Sequence, residues 1–163
     1  MAGESSFDVV SDFDQQELVN AIDQVVREVR TRYDFKGSKA SLELGKGEIT
    51  LIADDEYRAT ALKDLLETKA LRRGLSLKIF DWGRVEEAGG STVRQRIGLR
   101  RGLTAEQTKE LSRQVRERFP KTKPLIQGDA LRVSAKSKDE LQAVIGYLRE
   151  LDYPVALQFQ NYR

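Results

Sequence analysis

The sequence predicts an α+β fold in which the element order β-α-β-β-α-β occurs twice. Apolar residues alternate along short segments, as in strands, and recur every three or four residues along longer segments, as in amphipathic helices. GEITLIADDEYRATALKDLL and GDALRVSAKSKDELQAVIGYL resemble each other, since each has a glycine turn, an apolar strand, a polar cap and an amphipathic helix. This similarity between the two segments indicates an internal duplication. The ferredoxin-like arrangement is the simplest fold with this order, and it packs two helices on one face of an antiparallel sheet.

The first copy of the unit is predicted at residues 1–82. Asp14 and Glu17 have the spacing of a capping box and begin a helix. Gly45-Lys46-Gly47 supplies the conformational freedom of a tight hairpin. The predicted elements are, in order, a strand at 6–11, a helix at 14–31, strands at 39–45 and 48–53, a helix at 54–73 and a strand at 75–79.

A linker and a second copy of the unit follow. The segment GRVEEAGGS at 83–91 is polar, has a glycine pair and shows no periodicity, which predicts a linker. The second copy is predicted at 92–163, where Thr104 and Ser137, each with Gln or Glu three residues later, begin helices. Its elements are a strand at 93–100, a helix at 104–119, a hairpin through 125–133, a helix from 137 and a strand at 155–159.

The composition disfavours most enzyme classes. The chain has 163 residues with no cysteine and no histidine, so it lacks a thiolate nucleophile, the usual proton shuttle and the commonest transition-metal ligands. We therefore expect no catalytic residue, no metal and no cofactor. No apolar run approaches the length of a membrane span, and the N-terminus lacks the features of a signal peptide, so the expected location is the cytoplasm.

Charge is distributed unevenly along the chain. Residues 1–90 hold 13 Lys/Arg and 18 Asp/Glu, whereas residues 91–163 hold 15 and 8, so the halves carry −5 and +7. The basic half indicates an anionic partner. The alternative is that the two halves neutralise each other.

The strand at 93–100 gives the sharpest binding hypothesis. If its apolar residues face the core, alternation places Arg94, Arg96 and Arg100 on the opposite face. Arginine matches phosphate bidentately, and in a ferredoxin-like sheet Arg132 would lie beside these three residues. The alternative is that these arginines form cross-strand ion pairs with the carboxylates of Glu43 and Glu48.

Further basic residues continue this pattern, although a basic helix face is often simply solvated. Phe35 and Lys36 lie in YDFKG, where an aromatic ring could stack a base or fill the core at a helix end. The candidate nucleotide- or nucleic-acid-binding residues are Arg94, Arg96, Arg100, Arg101, Lys109, Arg113, Arg116, Lys121, Lys123, Arg132, Phe35 and Lys36.

Three long stretches resemble the YajQ family of bacterial nucleotide-binding proteins. They are FDVVSDFDQQELVNAIDQVVREVRTRYDFKG, IQGDALRVSAKSKDELQAVIGYLR and the C-terminal FQNYR, and the resemblance covers essentially the whole chain. It implies two ferredoxin-like units that exchange their first strands, with 6–11 in the second sheet and 93–100 in the first. This placement would set the arginines of 93–100 beside Glu43 and Glu48.

The resemblance also implies a non-enzymatic binding function. Family members look like binders of RNA, of nucleoside triphosphates or, in some lineages, of a cyclic dinucleotide that regulates transcription. The first hypothesis is therefore binding of RNA (tRNA) or a guanine nucleotide through a basic surface. The alternative is a regulatory protein that responds to cyclic di-GMP and docks a transcription factor as its protein partner, with the Phe35–Lys36 pair suited to a guanine base and a phosphate.

Overall fold

The computed structural model describes residues 3–163, so Met1 and Ala2, at the start of the predicted 1–82 unit, lie outside the described residues. The described residues form four α-helices and eight strands. In order they are β1 (Ser5–Val10), α1 (Gln15–Thr31), β2 (Ser41–Leu44), β3 (Glu48–Ala53), α2 (Glu56–Arg72), β4 (Phe80–Ala88), β5 (Thr92–Leu99), α3 (Ala105–Arg118), β6 (Lys123–Gln127), β7 (Ala130–Ala135), α4 (Lys138–Glu150) and β8 (Gln158–Gln160).

The chain forms two compact units, and each has its own four-stranded antiparallel sheet. One unit is Phe13–Arg100, with the strand order β2-β3-β5-β4; we call it the N-unit. The other unit combines residues 3–12 with Arg101–Arg163, with the order β6-β7-β1-β8; we call it the C-unit. Both orders are those of a ferredoxin-like sheet, which confirms the predicted α+β class. β5 occupies the first-strand position in the N-unit and β1 occupies it in the C-unit.

Amphipathic helices cover one face of each sheet. In the N-unit, α1 buries Leu18, Ile22 and Val25, and the sheet offers Ile49 and Ile97, which lie opposite each other on β3 and β5. The side chain of Asp14 accepts a hydrogen bond from the backbone N–H of Glu17 and caps α1, as its spacing predicted. The corresponding core of the C-unit includes Phe7, Val9, Leu111, Val115, Leu131, Val133, Val144 and Ile145.

Two predictions about residues 75–91 are wrong. The predicted strand at 75–79 contains a 3₁₀ turn at Leu77–Ile79, and the strand that follows it is β4. The predicted linker at 83–91 is the rest of β4 and a tight turn into β5, with which β4 pairs. Most β4 residues beyond Trp82 are exposed because β4 is an edge strand, so the segment shows no apolar alternation.

The charge asymmetry along the chain disappears within the units. The N-unit holds 16 Lys/Arg and 15 Asp/Glu, and the rest of the chain holds 12 and 11, so each part carries +1. This balance arises because the acidic segment that contains β1 joins the basic half, whereas the arginine-rich β5 joins the acidic half.

A bulge in β4 brings two backbones close together. The register with β5 shifts between Trp82 and Val85, and an added Cβ at Gly83 would lie 2.6 Å from the carbonyl oxygen of Arg96. We expect Gly83→Ala to lower the free energy of unfolding by about 1–3 kcal/mol, the usual cost of overpacking. Urea denaturation measures this change. Gly89→Ala is the matched control, because nothing lies within 4 Å of its added Cβ; equal losses in both variants would contradict the explanation.

Candidate functional site

The N-unit contains a cleft of about 790 Å³ beside the end of α1 and the edge strand β2. Its floor is apolar and includes Val25, Val29, Leu42 and Leu62. Its rim is polar and carries Arg30, Arg32, Tyr33, Lys36, Ser38, Ser41 and Glu43. The volume lies in the range of small-molecule sites, which combine an apolar lining with a few placed polar groups.

The loop that forms one wall of the cleft is held by a carboxylate at the start of α2. The hydroxyl of Ser38 donates to Asp54, and the backbone N–H of Lys39 donates to the same carboxylate at 3.1 Å. The hydrogen bond from Ser38 lowers the pKa of Asp54 below its ordinary value. Gly37, with φ of +70°, provides the left-handed residue that the turn requires. The wall is therefore fixed by the protein before a ligand arrives.

Arg32 and Phe35 complete this wall and are already engaged. Arg32 donates to both carboxylate oxygens of Asp34, at 3.0 and 2.8 Å, and this pairing lowers the pKa of Asp34. The Arg32 guanidinium also lies 5.5 Å from the centre of the Phe35 ring. Phe35 is only 4% exposed, which favours the alternative that it fills the core at the helix end over the stacking of a base.

Other rim groups are available to a ligand. The ring of Tyr33 is 90% exposed, and the side chains of Arg30, Lys36 and Glu43 are exposed as well. None of these four side chains has a hydrogen-bond or ion-pair partner within residues 3–163. An exposed aromatic ring, two cations and a carboxylate around an apolar floor can bind a flat ring that carries an anionic group.

Two of the three arginines of the predicted 93–100 strand, Arg94 in β5 and Arg100 just after it, are paired. Nη2 of Arg94 lies 3.9 Å from Glu86, and Nη2 of Arg100 lies 3.4 Å from Asp81. Arg96 is exposed and has no ion-pair or hydrogen-bond partner in the part of the chain that the structure describes.

The alternative hypothesis named the wrong carboxylates for these arginines. The partners are not Glu43 and Glu48, because β5 also pairs with β4, whose acidic residues lie closer.

Arg132 is not in the sheet that contains these arginines. It is on β7, opposite Asp8 of β1, in the sheet of the C-unit. Nε and Nη2 of Arg132 donate to the two carboxylate oxygens of Asp8 at 2.8 and 3.2 Å, and Nδ2 of Asn161 donates to one of them at 2.8 Å. The pairing with Arg132 lowers the pKa of Asp8. Because β1 occupies the position next to β7, Arg132 forms an ion pair within the C-unit, and its role in ligand binding stays a prediction.

The remaining predicted basic residues also belong to the C-unit. Several of them are engaged: Arg101 with Asp12 at 3.0 Å, Arg113 with Glu117 at 3.3 Å, Arg116 with Ser112 at 3.2 Å and Lys123 with Glu4 at 3.5 Å. Lys109 and Lys121 are exposed without a partner among the described residues. The twelve predicted site residues are thus divided between two units, and Phe35 and Lys36 are the two that line the large cleft.

Comparison with known proteins identifies the family. The family described as "Nucleotide-binding protein YajQ-like" matches residues 5–163. The chain belongs to the YajQ-like family. It is 58% identical to the "Nucleotide-binding protein" of Chloroflexus aggregans and 59% identical to a protein of the same description from Synechococcus elongatus, with full coverage of both chains in each case. A relative from Trichodesmium erythraeum is 54% identical, again over the full length of both. The resemblance found in the sequence is confirmed.

Two further properties bear on the chemistry of this YajQ-like chain. No group of three or more Asp or Glu residues within 3–163 has the arrangement of a metal site. None of the described helices is long and apolar enough to cross a membrane.

Sequence reasoning did not include Tyr33, Arg30 and Glu43, which line the cleft, among its candidate site residues. Strand periodicity drew attention to β5, whereas the cleft forms where a helix end meets an edge strand. The signal that could have found it is the segment RTRYDFKG, in which a polar helix end carries an aromatic residue between cations.

Proposed function

We propose that this chain is a cytoplasmic protein that binds a nucleotide without transforming it, and that the cleft of the N-unit is the binding site. The cleft is the observation that carries the proposal, because it combines a suitable volume, an apolar floor and unpaired cations at the rim. Relatives of 54–59% identity are named nucleotide-binding proteins, which supports the same conclusion.

The lining suggests how each part of a nucleotide would be held. The base would lie over the apolar floor with the Tyr33 ring available for stacking, which contributes about 1–3 kcal/mol per base. Arg30 and Lys36 would bind the phosphates by charge-assisted hydrogen bonds. The Ser38 hydroxyl and the Asp34 carboxylate already serve internal hydrogen bonds, so they are poorly placed to act as a nucleophile or a base. Binding without catalysis is the function that these groups support.

The volume of the cleft favours a small ligand over RNA, and we propose a guanine nucleotide as that ligand. An RNA surface would need a continuous set of free cations, and Arg94, Arg100, Arg113 and Arg116 are engaged by carboxylates or a hydroxyl. Cyclic di-GMP combines bases and phosphates as a guanine nucleotide does, so it belongs in the same binding experiment.

We expect Tyr33→Ala and Lys36→Ala each to weaken GTP binding about 10-fold, through lost stacking and a lost phosphate contact. Isothermal titration calorimetry with GTP, cyclic di-GMP and tRNA at about 50 and 200 mM salt measures this, since binding to a polymer falls steeply with salt. Lys46→Ala, in the exposed β2–β3 turn, is the matched control. If both cleft variants bind GTP as the wild type does, the cleft is not the nucleotide site. If, in addition, tRNA binding is salt-sensitive and is lost in Lys109→Ala, RNA is favoured as the ligand.

A further inference from the structure

We infer that the Glu43 carboxylate makes this cleft selective for guanine over adenine, an inference that rests on the proposed nucleotide binding. Glu43 lies on β2, the edge strand, and pairs with Thr50 of β3. Glu43 is one of the residues that line the cleft, it is exposed, and its carboxylate has no partner among the residues that the structure describes.

The electrostatics of the rim leave this carboxylate one suitable role. A carboxylate at the wall of a phosphate-binding site repels the phosphates. The phosphates would therefore bind to Arg30 and Lys36, and the base would lie next to Glu43. A Mg²⁺ role is disfavoured because no second and third carboxylate of the described chain cluster with it.

The donor and acceptor pattern of the bases then decides the selectivity. A carboxylate has two acceptor oxygens and no donor. Guanine presents two adjacent donors, N1–H and the N2 amino group, so it can donate one hydrogen bond to each carboxylate oxygen. Adenine presents one amino donor beside the N1 lone pair, which a carboxylate oxygen repels. A site that is built to bond a donor rejects an analogue that lacks it, because the polar group is then left unpaired.

The test is a titration of GTP, ITP and ATP into the full-length protein and into Glu43→Gln, in EDTA so that Mg²⁺ makes no contribution. ITP is guanosine triphosphate without the N2 amino group. We expect the wild type to bind GTP about 10-fold more tightly than ATP, with ITP between them, because hydrogen bonds to a charged group are strong. Glu43→Gln should remove this preference, since a Gln amide can donate to the adenine N1 and accept from its amino group.

Glu48→Gln is the matched control. Glu48 is a glutamate on the neighbouring strand β3 that does not line the cleft, and the preference for GTP should survive its substitution. Thermal melting of all variants checks that the fold is retained, which is expected because Glu43 is exposed on an edge strand.

The outcomes separate this inference from the proposed function. Equal affinity of the wild type for GTP and ATP, with both lost in Tyr33→Ala, would overturn the guanine selectivity and keep the cleft as the nucleotide site. A preference for GTP that Glu43→Gln leaves unchanged would also overturn the role of Glu43. Binding of GTP that neither Tyr33→Ala nor Lys36→Ala affects would overturn the cleft itself.

Discussion

A fragment that ends at Gly90 will not fold cooperatively, whereas the fragment 13–100, of nearly the same length, will. Residues 1–90 lack β5, the strand that β3 and β4 both pair with, and they carry β1 without β7 and β8. Unpaired strand edges with apolar faces promote aggregation. Residues 13–100 contain every strand of the N-unit sheet and both helices that cover it.

Circular dichroism melting and size-exclusion chromatography of the two fragments measure this difference. We expect aggregation or a broad, non-cooperative melt for 1–90, and a monomer with a cooperative transition for 13–100. The comparison controls for size, since the fragments differ by only two residues in length. A cooperative melt of 1–90 would show that β5 is dispensable and would contradict the sheet topology.

Asp8→Ala will destabilise the full-length protein by about 2 kcal/mol. Asp8 is 6% exposed and accepts hydrogen bonds from Arg132 and Asn161, so its removal leaves both donors unsatisfied. Urea denaturation measures the free energy of unfolding. Asp12→Ala is the control, because the Asp12 side chain is half exposed and an exposed ion pair contributes little.

The double variant Asp8→Ala/Arg132→Leu gives a second test of this network. Removing both charged partners costs less than leaving one unpaired, so the double variant should be at least as stable as Asp8→Ala. A double variant that loses the sum of the two single effects would show that the two side chains act independently.

The same carboxylate gives the protein a specific acid sensitivity. The hydrogen bond from Arg132 lowers the pKa of Asp8 in the folded state below its ordinary value of 3.8. The unfolded chain therefore binds the proton more readily, so the stability from this pair is fully present above pH 3.8 and is lost as the pH falls through the folded pKa. Asp8→Asn should reduce the fall in the free energy of unfolding on acidification. An identical acid transition in the variant would assign the sensitivity to other carboxylates, such as Asp34 and Asp54, whose pKa values are also lowered.

Helices and their starts were the most predictable part of the fold. Asp14, Thr104 and Ser137 each cap a helix as the spacing indicated, and Thr104 with Gln107 forms a complete capping box. Caps are predictable because the hydrogen bond joins residues two or three positions apart. β4 was missed because an edge strand with polar residues on both sides has no alternation to detect.

The sequence by itself determined the class of the fold, the order of its elements except around β4, the family, and the absence of cysteine and histidine chemistry. The family resemblance indicated that the first strands are exchanged, but only the tertiary structure decided which carboxylates neutralise Arg94, Arg100 and Arg132. It also decided that Tyr33 and Glu43 line one cleft while Phe35 is buried beneath it. The physical reason is the separation in sequence of the residues that interact. Helix caps and apolar periodicity depend on residues close together in the chain. Ion pairs and clefts depend on strand pairings between residues as far apart as Asp8 and Arg132.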